Sequence, residues 1–218
     1  MKPNILFKSS YYLIMLYFTY LMVLITLQYI PIDFDVAFLR IKQEEIQYKH
    51  YQIAFFIHVY TSMIVLVVGL FQFSNYLRTN YLKLHKFLGR IYVVLILLFS
   101  STSGLVMGYY ANGGIYSKVS FCLLSILWFY YTFISLTSIK DKKILLHKQY
   151  TLRSFALTLS AISLRLFKFL IVYFFSTPPM TTYKIVAWSW IINLLLVEIY
   201  IYYLHKDKYS NSNENYNL

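Results

Sequence analysis

Apolar residues run along this chain in long blocks from which Asp, Glu, Lys and Arg are missing, and the polar residues gather between the blocks. Four blocks carry no Asp, Glu, Lys or Arg, though His58 sits in the second: Ser9 to Ile32, Tyr51 to Leu77, Ile91 to Ser117 and Val119 to Ile139. A fifth, near residues 150–175, is interrupted by Arg165 and Lys168, and a sixth, near 184–204, by Glu198. About 20 apolar residues in a helix cross the hydrocarbon layer of a bilayer. The pattern therefore predicts an all-α, polytopic membrane bundle of six transmembrane helices, at about 9–30, 51–74, 88–110, 118–139, 150–175 and 184–204. These make one unit over residues 1–205, and the Asn-rich stretch 206–218 is expected to be a disordered cytoplasmic tail. Asn112-Gly113-Gly114 supplies a turn between the third and fourth spans, and Pro178-Pro179 ends the fifth. The first block is longer than the core of a signal peptide and no small-residue cleavage site follows it, so it is expected to be retained.

Composition agrees with the pattern and closes off alternatives. The 218 residues are 59% hydrophobic and only 13% charged, against ~25% charged in an ordinary soluble domain. The net charge of +12 belongs with cytoplasmic basic loops rather than with a nucleic-acid surface, so no nucleic-acid partner is expected. Between the spans, 13 Lys and Arg fall on one side and 5 on the other, which puts both termini in the cytoplasm. The loop from Pro31 to His50, on the opposite side, mixes Asp33, Asp35, Glu44 and Glu45 with Phe34, Phe38, Leu39, Ile41 and Ile46 and is expected to lie as a short helix on the outer interface. Cys122, the single cysteine, forms no internal disulfide.

The few polar residues inside the spans mark where chemistry can occur. In the fifth span His147, Thr151, Ser154, Thr158, Ala161, Arg165 and Lys168 alternate spacings of four and three, which keeps them on one helical face. This stripe crosses the bilayer, with a histidine at its inner end and two cations towards its outer end. A cation at the bilayer centre costs ~2.5–3.5 kcal/mol on insertion scales, so Arg165 and Lys168 need either a partner or a route to the headgroups. His58 in the second span lies at a depth similar to that of Arg165, giving an outer polar cluster of His58, Arg165 and Lys168 suited to a quinone or a small anion. At the inner boundary, His85 and His147 open the third and fifth spans at equal depth, the arrangement that ligates a haem b. With Glu198 they form instead a possible set for zinc or another divalent ion. Gln72, Arg90, Arg153 and Glu198 complete an inner polar cluster. Ser100, Gly104 and Gly108 form a small-residue ridge for close helix packing.

From His58 to Arg165 the chain resembles a bacterial membrane-protein family catalogued as domain of unknown function 2306. The resemblance is carried by His58, Gly69-Leu-Phe-Gln72, His85-Lys-Phe-Leu-Gly89-Arg90-Ile-Tyr92, Trp128, His147, Gln149, Arg153-Ser154 and Ser163-Leu-Arg165. It implies a multi-pass protein of the bacterial inner membrane and no particular activity. The layout is also similar to cytochrome b561-type bundles, with one inner histidine pair in place of two pairs. Three readings follow: a small redox protein with haem b between His85 and His147, a transporter or channel for protons or a small anion, and a non-catalytic assembly subunit.

Overall fold

A computed structural model of the chain describes the backbone of residues 5–214 and the side chains of residue 10 and residues 12–203. Every regular element among the described residues is helical: α1 (Ile5–Leu27), α2 (Lys49–Gln72), α3 (Asn75–Asn80), α4 (Leu82–Val94), α5 (Ser101–Tyr109), α6 (Ile115–Lys140), α7 (Ile144–Thr158), α8 (Ser160–Phe175), α9 (Pro179–Val186) and α10 (Trp190–Glu214). A π-helical segment, Leu95–Ser100, joins α4 to α5 without a break in the helical run. Five helical units are long and apolar enough to cross a membrane: Lys49–Gln72, Leu82–Tyr109, Ile115–Lys140, Ile144–Phe175 and Pro179–Tyr203. α1 is a sixth apolar helix, with a shorter described stretch, Tyr12–Leu27. The protein is a helical, multi-pass membrane protein.

The helices overrun the charge-free blocks. α4 opens at Leu82 and α7 at Ile144, about two turns before the expected span boundaries, because lysines such as Lys83, Lys86 and Lys148 keep their heads in water while their stems follow the helix. α9 opens at Pro179, where a proline in the first turn has no hydrogen bond to lose. The fifth unit is two helices meeting at Leu159, and the last is two helices separated by residues 187–189. The expected tail starts inside α10, whose backbone continues to Glu214, and residues 215–218 lie outside the described residues.

The loop after α1 departs from the expected interfacial helix. It forms two short 3₁₀ turns, Ala37–Ile41 and Glu45–Gln47, whose Leu39 and Ile46 turn inward against Tyr29, Tyr51 and Phe55. Lys42 is only 1% exposed; its ammonium pairs with Glu45 at 2.6 Å and donates to the carbonyl of Tyr110. The loop is thus a plug fastened to the end of α5. Within the bundle α6 packs on both α5 and α7, α2 packs on α4 and α5, and α10 lies along α7. Val65, Val68, Tyr92, Ile96, Trp128, Phe155, Leu157 and Trp190 make the main core. A Cβ on Gly104 would come within 3.0 Å of both His58 and Ser125, so the small-residue ridge on α5 makes room for His58 and for α6.

Candidate functional site

Two polar regions lie at opposite ends of the bundle, joined by a buried seam of hydroxyls. At the basic end, His147 on α7 faces Ser135 on α6. Its Nδ1 is 2.9 Å from the Ser135 carbonyl and 3.0 Å from the Ser135 hydroxyl. A carbonyl only accepts, so Nδ1 carries a hydrogen, and in the neutral ring Nε2 then keeps the lone pair. Histidines that ligate metals are oriented in this way, by donating from the other ring nitrogen to a carbonyl. His85, in the first turn of α4, has His147 and Arg78 as ionisable neighbours. Its Nδ1 is buried with no hydrogen-bond partner. Gln72, the last residue of α2, donates to the His85 carbonyl at 3.3 Å. α2 packs on both α4 and α7: Gln72 reaches the first turn of α4, and Gly69 and Phe73 lie against Phe155, well beyond the first turn of α7.

The remaining residues of the expected inner cluster are used otherwise. Arg153 grips Glu198 with two hydrogen bonds, 2.5 and 2.8 Å, and lies 4.8 Å from the centre of the Tyr150 ring. Glu198 is therefore spent on a neighbouring helix and does not join the histidines. Among the described residues no three His, Cys, Asp or Glu side chains come together as a cation site, so a divalent ion on His85, His147 and Glu198 is corrected. Arg90 is exposed.

From His147 to Ala161 the stripe on the fifth unit faces inward, while Arg165 is exposed; the partners of the inward part on α6 and α4 carry no signal in the sequence. Ser135 meets Thr151 at 2.6 Å. One to two turns further in, Thr132 meets Ser154 at 2.7 Å, and Tyr92 bonds both Ser154 and Thr158 at 3.0 Å. Trp128 donates to Thr158 at 3.2 Å. These groups satisfy one another in the core, where an unpaired hydroxyl is costly. Period analysis finds the stripe on α7; only packing identifies Ser135, Thr132, Trp128 and Tyr92 as the groups opposite it.

At the other end, His58 donates from Nδ1 to the carbonyl of Ser100 at 2.8 Å, and Ser62 lies 3.5 Å from its Nε2. Ser100 closes the π segment, a local widening that recurs at functional sites. Arg165 is an electrostatic neighbour of His58, Tyr29 and Tyr183. Its Nη1 donates to Ala161, one turn back along α8, at 2.9 Å. Lys168 donates to the Tyr183 hydroxyl at 3.0 Å with its ammonium 4.7 Å from the centre of that ring. The structure thus brings His58, Arg165 and Lys168 into one region and adds Tyr29 and Tyr183 to it. Fifteen residues of helix separate His85 from Ser100, about 22 Å at the usual rise, so the two ends are distinct sites.

No curated protein matches this chain, and no solved structure matches it. A family model described as a predicted membrane protein, DUF2306, matches residues 55–201, about two thirds of the chain, from α2 to α10 and with both polar regions inside it. The chain belongs to the DUF2306 family of predicted membrane proteins.

Proposed function

We propose that this is a small membrane redox protein holding one haem b between His85 and His147, in a bacterial cytoplasmic membrane with its basic face inside. The observation that carries this reading is the state of the two imidazoles. His147 commits Nδ1 to the Ser135 carbonyl and so presents a lone pair on Nε2, the donor that haem iron takes. His85, on another helix, has a buried Nδ1 for which the protein provides no hydrogen-bond partner. Both sit in the first turns of their helices. A haem bound there supplies one-electron chemistry; the chain's own contribution is to orient the two imidazoles and to set the polarity around them. Protein purified from haem-replete cells should show a Soret and an α band in its reduced-minus-oxidised spectrum, and His85→Ala and His147→Ala should each remove them. A folded wild-type protein without these bands overturns the proposal.

A second reading, transport of protons or a small anion along the fifth unit, is supported by one observation: the hydroxyl seam runs from His147 to Thr158, and Arg165 follows on the same stripe. It expects Arg165→Gln to abolish flux into proteoliposomes, and unchanged flux counts against it. A quinone at the outer cluster fits the haem reading poorly, because about 22 Å of helix lies between the two sites.

A further inference from the structure

Among the described residues Arg165 and Lys168 have no carboxylate partner, and the described acids are engaged or exposed elsewhere. Glu45 is held by Lys42, Asp35 lies 3.9 Å from Arg40, Asp141 pairs with Lys143, and Glu198 pairs with Arg153. Asp33 accepts from the Asp35 amide within its own loop, and Glu44 is exposed. The acids of the first loop therefore do not counter the two cations: Asp33, Asp35 and Glu45 are engaged within that loop.

Escape to the headgroups does not account for Arg165 either. A snorkelling side chain on α8 runs towards the C-terminal end of that helix, where the outer surface lies. The Arg165 guanidinium turns the opposite way, to the Ala161 carbonyl nearer the bilayer middle. Lys168 is held sideways by Tyr183 on α9 rather than extended outward. Arg165 is exposed at the surface of the bundle, and His58 and Lys168 are half-buried. This region carries a guanidinium with four unengaged N–H donors, an ammonium, a phenol and an imidazole, and no negative charge among the described residues. A guanidinium fork beside an ammonium matches a tetrahedral oxyanion, which offers bidentate acceptors to the first and a point charge to the second.

We propose that Arg165 and Lys168, with Tyr183 and His58 beside them, bind a phosphate group in the half of the bundle away from the basic face, from either an anionic phospholipid headgroup or free inorganic phosphate. This site is independent of the haem reading, and its test does not use haem. Thermal unfolding of the delipidated full chain in neutral detergent is followed by tryptophan fluorescence. One arm adds sodium phosphate against sodium chloride of equal ionic strength; the other adds phosphatidylglycerol against phosphatidylcholine. Occupancy raises the midpoint, because a ligand that binds only the folded state stabilises it. The proposal expects a rise of several degrees in at least one arm, and the responding arm identifies the source of the phosphate. It also expects the rise to vanish in Arg165→Gln and to shrink in Lys168→Gln. If Arg165→Gln does not fold, Lys168→Gln and Arg165→Lys, which keeps the charge but loses the fork, take its place and should each reduce the rise at least threefold. No rise in either arm, or a rise of wild-type size in every folded variant, overturns the assignment.

Discussion

His147 and Arg165 stand on the same helical stripe, and their surroundings give them opposite tasks. His147 is oriented by a backbone carbonyl into a defined tautomer, whereas Arg165 is a cation left without a counter-charge. Their position on one face was legible from spacing alone. The direction of the Arg165 side chain and the commitment of Glu198 to Arg153 were not, because both depend on which helices become neighbours. The Arg153–Glu198 pair has a half-exposed carboxylate, and an ion pair so placed contributes little. Glu198→Gln should therefore lower stability in detergent by about 1 kcal/mol or less and leave any haem spectrum unaltered. A spectral change in that variant would return Glu198 to the ligand set.

At the scale of the element, charge-free blocks located the spans well because a charge within hydrocarbon is costly whatever its neighbours. The same blocks hid the π segment and the breaks at Leu159 and at residues 187–189. Neither proline nor glycine marks those places, and a helix that is apolar all round has no period to disturb. The loop after α1 was misjudged for a related reason. Its alternation of apolar and charged residues fits an interfacial helix, and only its contacts with Tyr51, Phe55 and Tyr110 show that it folds inward. Close approach of elements makes a sharper prediction. A Cβ on Gly69 of α2 would lie 2.6 Å from the Phe155 ring of α7. Gly69→Ala should cost about 1–3 kcal/mol by overpacking. Phe155→Leu in the same chain should recover part of that loss, seen as non-additive unfolding free energies.

For the whole molecule, two polar ends share one apolar bundle, and a hydroxyl seam ties α4, α6 and α7 together between them. The class of protein and the number of apolar helices could be read from where a chain so poor in charge places its charges. The helix neighbours could not, and they decide what each end is able to bind. The hydrogen bonds of Tyr92 on α4 to Ser154 and Thr158 on α7 bear most weight, since His85 and His147 stand seven residues before Tyr92 and Ser154. The haem content of the purified protein, measured as pyridine haemochromogen per chain, tests the haem reading most directly. The account predicts one haem b per chain, lost when both histidines are replaced by alanine; folded protein from haem-replete cells that carries none, or a double variant that keeps it, contradicts the account.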